Sequence, residues 1–157
     1  MPVLPIISNI TELRRKCRLV EKGEDISQII QDLKNTLNYH KNGLGLAANQ
    51  IGYNKAIAIV KIPKNKTEFT EHILINPQII DKEGKIIIND SCLSFPGLII
   101  RTLRYSNITF YNTNLKGEVN TFMVSGLEGI VIQHEVDHCL GITILDRRYK
   151  NPNKKRK

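Results

Sequence analysis

The stretch His134-Glu-Val-Asp-His138 is the most informative part of the 157-residue chain. On a helix, residues at this spacing project from the same face, where the two imidazoles can hold one metal ion. Glu135 lies between them in sequence and can take the proton of a metal-bound water. The apolar residues before this stretch predict a helix that is buried in a core. The alternative is a pair of core histidines with a glutamate on the helix surface.

A third metal ligand is expected elsewhere, because a catalytic metal usually takes three protein ligands and leaves one position for water. Downstream of His138 the chain has Cys139 and Asp146 but no further histidine. Cys139 is adjacent to His138 and would point away from the shared helix face. Cys92, in the turn-rich segment 89–97, is the better candidate, although a lone cysteine is more often a small buried hydrophobic residue.

The composition is that of a globular protein, with 41% apolar and 24% charged residues and a formal net charge of +8. We expect one domain over residues 1–147, followed by a basic tail, 148–157, that is either a flexible, solvated end or a weak electrostatic contact to the ribosome or RNA. No apolar run approaches a membrane span, and the N-terminus does not resemble a signal peptide. Three cysteines do not suggest a disulfide framework, so a reducing, cytoplasmic location is expected.

The hydrophobic periodicity predicts a helix over residues 25 to about 40 and a short helix over residues 11–18 with Thr11 as its cap. Strands are predicted at 56–62, 73–75, 98–103, 107–111 and 118–124, and a hairpin at 79–88 turns at 81–84. The helix with the two histidines should end before Gly141. This order of a helix, many short strands and a final helix predicts an α+β fold.

Three motifs resemble those of the peptide deformylase family and occur in the same order. Residues 43–50 read GLGLAANQ and match Gly-Φ-Gly-Φ-Ala-Ala-x-Gln, where Φ is hydrophobic, although this stretch alone could be a helix cap and a packing segment. Residues 134–138 match His-Glu-x-Asp-His. The family motif Glu-Gly-Cys-Φ-Ser reads Asp-Ser-Cys-Leu-Ser at 90–94, with Asp in place of Glu and Ser in place of Gly.

The resemblance covers nearly the whole chain and is greatest to the shorter members, including those carried by phages. Only ten residues follow Arg147, and Pro152 disfavours the long C-terminal helix of many bacterial members. The resemblance implies short, mostly antiparallel sheets packed around a central C-terminal helix that carries HEVDH, with an N-terminal helix. We expect the chain to be a monomer.

The resemblance further implies a reaction, the removal of the formyl group from N-formylmethionyl peptides with release of formate. One divalent metal ion would serve, Fe(II) natively in many members, with Zn, Ni or Co able to replace it. Its ligands would be Cys92, His134 and His138, and Glu135 would move the proton. The side-chain amide of Gln50 and the backbone N–H of Leu93 would stabilise the oxyanion.

The remaining site residues are also carried over from the resemblance. The methionine pocket would be lined by Leu44, Gly45, Leu127, Ile130 and Val131, for which an ordinary core role is the alternative. Asp137 would support the site without binding metal. Asp90 would form a buried ion pair with Arg104, or less directly with Arg101.

Two other functions compete with a deformylase. A metallo-endopeptidase would use His134, Glu135 and His138 but leaves Gln50 and Cys92 without a role. A non-catalytic basic binding protein on the same fold would not need the three metal ligands, so other residues could replace them, yet all three are present.

Overall fold

The computed structural model describes residues 2–153, which form an α+β fold with two three-stranded antiparallel sheets and a buried C-terminal helix. The helices are α1 (Ile10–Leu13), α2 (Ser27–Tyr39) and α3 (Gly126–Cys139). The strands are β1 (Gly45–Ala47), β2 (Ile57–Pro63), β3 (Phe69–Ile75), β4 (Gln78–Asp90), β5 (Ile100–Thr113) and β6 (Val119–Ser125). A 3₁₀ turn, Ala48–Ile51, follows β1.

The two N-terminal helices lie close to where the sequence predicts them. In α2 the apolar stripe of Ile29, Ile30, Leu33 and Leu37 is buried against β1 and β2. The predicted cap of α1 is wrong: Asn9 accepts hydrogen bonds from the N–H groups of Thr11 and Glu12, at 2.9 and 3.2 Å. The cap therefore lies two residues earlier than predicted, and the helix ends after a single turn.

The predicted hairpin at 79–88 is wrong, because these residues form one continuous strand. β4 pairs with β5 from Gln78, opposite Tyr111, to Asp90, opposite Ile100, with a bulge between Ile79 and Asp81. The two strands predicted at 98–103 and 107–111 are likewise a single strand, β5. β5 offers β4 an antiparallel hydrogen-bonding partner along its whole length, and this outweighs the local turn preference of residues 81–84.

Helix α3 is the central element, and its residues from Val131 to Cys139 are buried. Its apolar residues pack with those of β2 and β5 in one core, which includes Phe110, Ile132 and Val136. The helix ends before Gly141, as predicted, and this glycine has a φ of 76°. A side chain at Gly141 would collide with the backbone of Arg14, since its Cβ would lie 2.5 Å from the carbonyl oxygen.

The segment after α3 returns to the second sheet. Arg148 forms an antiparallel bridge with Thr102, and the Tyr149 N–H donates to the carbonyl of Arg101 at 2.8 Å. The predicted basic tail thus begins attached to β5, and its last four residues, 154–157, lie outside the described residues. Within the described chain, no helix is long and apolar enough to cross a membrane.

Candidate metal centre

Three side chains from two parts of the chain converge beside α3. Cys92 follows the end of β4, and His134 and His138 lie one turn apart on α3. The Nε2 atom of His138 lies 3.4 Å from the Cys92 Sγ and 3.2 Å from the His134 Nε2. The three candidate ligand atoms all lie within 4.8 Å of one another, and all three residues are buried.

This arrangement fits a metal ion, because three electron-pair donors face a common point inside the protein. One sulfur and two imidazole nitrogens form a donor set suited to transition metals, whereas calcium and magnesium prefer oxygen ligands. Within residues 2–153, the Nδ1 atom of His138 is buried without a hydrogen-bond partner. Burial and the positive charge of His134 hold the pKa of His138 well below its ordinary value. His138 is therefore neutral and able to donate an electron pair.

Asp90 orients the other histidine. Its Oδ1 lies 3.3 Å from the Nδ1 of His134, which leaves Nε2 facing Cys92 and His138. Burial lowers the pKa of His134, but the charge of Glu135 and the hydrogen bond to Asp90 outweigh it, so the pKa lies well above its ordinary value. Surroundings that stabilise a proton at this position also stabilise a metal cation.

A network of charged residues lies behind Asp90. Arg104 donates to the Oδ2 of Asp90 through Nε, at 3.2 Å, and Nη2, at 2.9 Å. The hydroxyl of Thr102 donates to the same oxygen at 2.9 Å. Burial raises the pKa of Asp90, but its contacts with His134 and Arg104 outweigh this and hold it below its ordinary range. The pairing of Asp90 with Arg104, and not with Arg101, is present in the structure.

Asp137 extends this network to the end of the chain. It accepts a hydrogen bond from Arg104 Nη1, and Arg147 donates a hydrogen bond to each of its two carboxylate oxygens. Sequence reasoning assigned no role to Thr102 or Arg147. Their contacts join residues that are 12 and 10 positions apart, and no short motif contains both partners.

Glu135 points toward β1 and is almost fully buried. Burial raises its pKa to about 7. Its Oε1 has no hydrogen-bond partner among residues 2–153. Its Oε2 lies against Gly45, where an added Cβ would be only 2.5 Å away. The carboxylate therefore occupies space that any side chain at position 45 would fill.

Gln50 is fixed at both ends of its side-chain amide. Its Oε1 accepts from the Ala47 N–H at 2.9 Å, and its Nε2 donates to the Ser94 hydroxyl at 3.0 Å. The same Nε2 lies 3.5 Å from the Sγ of Cys92. Sequence reasoning missed the contact with Ser94, although Ser94 belongs to the cysteine motif and that position was the available signal.

Leu93 is half-buried and packs against the core beneath α2. Within residues 2–153 its backbone N–H donates to no protein acceptor. Leu93 directly follows Cys92, whose sulfur faces His138.

The predicted pocket residues separate into two environments. Leu44 and Val131 pack together in the core between α3 and the sheets. Ile130 is half-buried, and Leu127, at the start of α3, is 52% exposed. Gly45 contacts Glu135, as described above. The structure thus places Leu44 and Val131 in the core and Gly45 against Glu135, and it leaves Leu127 at the surface.

Comparison with known proteins identifies the family to which the chain is similar. The family model "Polypeptide deformylase" matches residues 4–155. A peptide deformylase from Dictyoglomus turgidum is 38% identical over 136 residues, which cover 86% of this chain and 85% of the relative. One from Aquifex aeolicus is also 38% identical, over 79% of this chain and 73% of the relative.

Solved structures of the same type superpose closely. A peptide deformylase from Ehrlichia chaffeensis in complex with actinonin gives a TM-score of 0.86 at 29% identity, covering 96% of this chain and 91% of that chain. One from Acinetobacter baumannii with Met-Ala-Ser bound gives 0.84 at 25% identity, covering 93% of this chain and 98% of that chain. The chain described here therefore belongs to the peptide deformylase family of enzymes.

Proposed function

We propose that this chain is a metal-dependent hydrolase that removes the N-formyl group from the N-terminal formylmethionine of nascent peptides and releases formate. The observation that carries the proposal is the convergence of Cys92, His134 and His138 beside the buried carboxylate of Glu135. Membership of the deformylase family supplies the substrate class. Since nascent peptides carry the formyl group, we expect the reaction in the cytoplasm.

The metal would be held by Cys92, His134 and His138. When bound there, a divalent ion lowers the pKa of water and polarises the substrate carbonyl. We propose Fe(II) as the native ion, with Zn(II), Ni(II) or Co(II) able to replace it. Thiolate and imidazole ligands are compatible with each of these ions.

Glu135 would transfer a proton from the attacking water to the leaving amine. It accepts the proton that the attacking water loses as the new carbon–oxygen bond forms at the formyl carbon. It then delivers this proton to the amine nitrogen as the carbon–nitrogen bond breaks, so that formate and a free N-terminus result. The unpartnered Oε1 of Glu135 supports this role, because a buried carboxylate oxygen normally has a donor.

Gln50 and Leu93 would stabilise the negative charge that develops on the formyl oxygen. Gln50 Nε2 is held beside Cys92 by its contacts with Ser94 and Ala47, and the N–H of Leu93 has no competing protein acceptor. Donors that are fixed before the reaction stabilise the transition state more than the ground state.

The methionine side chain would bind between β1 and α3. Leu44, Gly45 and Val131 would form the inner part of this pocket, with Ile130 and Leu127 nearer its mouth. The exposed side chain of Leu127 is consistent with a surface that a substrate covers. The Acinetobacter baumannii relative was solved with a methionine-first tripeptide, Met-Ala-Ser, bound.

Hydrolysis of two peptides tests the proposal. Protein purified without oxygen should contain about one metal ion per chain and should release formate from formyl-Met-Ala-Ser. Neither unformylated Met-Ala-Ser nor casein should be cut. Cleavage of casein without formate release would favour the metallo-endopeptidase, and a metal-loaded protein that cuts none of them would overturn the proposed activity.

We also propose that residues 1–147 form one monomeric domain and that the basic tail makes weak contacts with RNA. The exposed side chains of Arg148 and Lys150 support an electrostatic contact. Binding of full-length chain and of a chain truncated after Tyr149 to a structured RNA, at several salt concentrations, would test it. Equal affinity and equal salt dependence of the two chains would exclude a contribution of residues 150–157 to RNA binding.

A further inference from the structure

Five charged or titratable residues form a continuous chain from the surface to the candidate metal centre. In order they are Arg147, Asp137, Arg104, Asp90 and His134. Positive and negative groups alternate along it. The four inner side chains are at most 11% exposed, whereas the side chain of Arg147 is 41% exposed.

The central position belongs to Arg104, which serves two carboxylates. Its Nε and Nη2 bind the Oδ2 of Asp90, and its Nη1 binds Asp137. Two buried carboxylates that share a single guanidinium compete for it, because a buried carboxylate without a cation destabilises the folded protein. A second cation at Asp137 removes this competition.

Arg147 supplies that second cation in a well-defined geometry. Its Nε lies 3.1 Å from the Oδ2 of Asp137 and its Nη2 lies 2.9 Å from the Oδ1. Two parallel hydrogen bonds of this kind fix both position and orientation, which a lysine ammonium cannot do. With Asp137 held in this way, two of the nitrogens of Arg104 stay on Asp90.

The backbone around Arg147 is held on both sides. Its own N–H donates to the carbonyl of Ile144 at 3.2 Å, and the next residue, Arg148, bridges to Thr102 on β5. Thr102 in turn donates its hydroxyl to Asp90. The segment after α3 is therefore attached to the same strand that carries Thr102 and Arg104.

We propose that Arg147 is a positioning residue for the metal site. By holding Asp137 it keeps Arg104 on Asp90, and Asp90 sets the orientation in which His134 presents Nε2 to the metal. This inference rests on the proposed metal-dependent function only in taking His134 as a ligand. It assigns a role in metal binding to a residue outside the three motifs and close to the end of the chain.

The test measures Co(II) binding to the metal-free full-length protein by competition with a chelator, together with the visible absorption spectrum of bound Co(II). Arg147→Met should weaken Co(II) binding by about tenfold or more, as loss of supporting contacts behind a metal ligand does elsewhere. It should also alter the Co(II) spectrum, because the geometry at His134 changes. Arg147→Lys should restore only part of the affinity, since lysine keeps the positive charge but cannot form the two parallel hydrogen bonds of the guanidinium.

Arg14→Met is the matched control. Arg14 pairs with Asp146 at 2.9 Å, and Asp146 is next to Arg147 in sequence, but among the described residues Arg14 itself makes no ion pair with a member of the charged chain. It should leave both the affinity and the spectrum unchanged. Asp137→Asn combined with Arg147→Met should regain part of the affinity that Arg147→Met loses, because the neutral amide competes less with Asp90 for Arg104.

The outcomes separate the inference from the proposed function. If the unaltered protein binds no Co(II) and no other divalent ion, the proposed function fails. If it binds Co(II) and Arg147→Met binds it with the same affinity and spectrum, the positioning role is overturned. An equal loss in Arg14→Met would also overturn it, because any disturbance of this segment would then suffice. Should Arg147→Met not fold, Arg147→Gln replaces it in the same measurements of Co(II) affinity and spectrum.

Discussion

Gly45 on β1 and Glu135 on α3 are in such close contact that no side chain fits between them. A Cβ at position 45 would lie 2.5 Å from the Oε2 and 2.9 Å from the Cδ of Glu135. The backbone of Gly45 does not have a positive φ, so the glycine is needed for space and not for conformational freedom. The second glycine of the GLGLAANQ motif thus leaves room for the carboxylate.

Gly45→Ala should therefore impair catalysis without removing the metal. The new methyl group displaces the carboxylate of Glu135, which is 2% exposed and has little room to move. We expect deformylation to fall by about a hundredfold, the usual loss when general-base catalysis fails, with normal metal content. Gly129→Ala on α3 is the control, since its Cβ would meet Val124 at an ordinary 3.5 Å. Full activity in Gly45→Ala would show that Glu135 adapts.

Glu135→Gln tests the proton transfer directly. The amide has nearly the same size as the carboxylate but cannot accept the proton, so activity should fall by about a hundredfold or more. Metal content, measured by elemental analysis, should stay near normal because Glu135 is not one of the three proposed ligands. Loss of the metal from this variant would instead assign Glu135 to ligation or to the structure of the site.

The three cysteines should differ in their effect on metal retention. Cys92→Ala removes a proposed ligand and should not hold the metal through gel filtration with a chelator. Cys17→Ala and Cys139→Ala should retain it, since these thiols pack with Ala56 in a separate buried group. Full metal occupancy in Cys92→Ala would remove Cys92 from the ligand set.

The oxidation sensitivity should depend on the bound metal. With Fe(II), air or peroxide should inactivate the enzyme quickly, because both the iron and the Cys92 thiolate react with oxidants. The Ni(II) and Zn(II) forms should lose activity more slowly. Equal rates of loss in all three forms, followed by peptide assay, would contradict a role for the metal in this inactivation.

The Asp90–Arg104 pair should contribute to stability as a unit. Arg104→Leu takes the guanidinium from buried Asp90 and removes one of the two arginines that pair with Asp137, and we expect a loss of about 3–5 kcal/mol in the free energy of unfolding. Asp90→Asn should also destabilise the protein and weaken metal retention. In urea unfolding, the double variant should lose less than the sum of the two single losses; strict additivity would mean that the residues do not interact.

The alkaline stability should depend on Cys17. Burial raises the pKa of this thiol from 9.0 to about 11, so above pH 9 the unfolded chain loses the proton first. Its contribution is complete below pH 9 and is lost as the pH rises toward 11, at about 1.4 kcal/mol per pH unit. Cys17→Ala should therefore show a shallower fall of unfolding free energy over this range. An identical dependence of the unfolding free energy on pH in Cys17→Ala and the unaltered protein would show that Cys17 does not cause the loss of stability.

Much of the site follows from the sequence because its residues lie in short, regularly spaced motifs. His134 and His138 lie one helical turn apart and therefore share a face of the helix, and the apolar residues before them predict the helix itself. Cys92 was found only because a third ligand was required and because its motif resembled that of a known family. The ion pair of Asp90 and Arg104 likewise came from that resemblance.

The remaining features depend on partners that are distant in sequence. Residues 81–84 have the composition of a turn, yet they lie within β4 because β5 offers a partner along its whole length. At α1, Asn9 takes the capping role expected of Thr11 because it lies one residue before the helix. The contact of Arg147 with Asp137 depends on how the segment after α3 folds back, which residue types alone do not determine.

That returning segment also covers part of an open strand edge on β5. β6 pairs with β5 only from Asn107 to Thr113, so residues near the start of β5 have a second edge that β6 does not cover. Uncovered strand edges recruit strands from other molecules and promote aggregation. Arg148 and Tyr149 occupy this edge at Thr102 and Arg101, and the exposed charge of Arg148 discourages further pairing. A chain that ended before Arg148 would expose a template for intermolecular β-sheet.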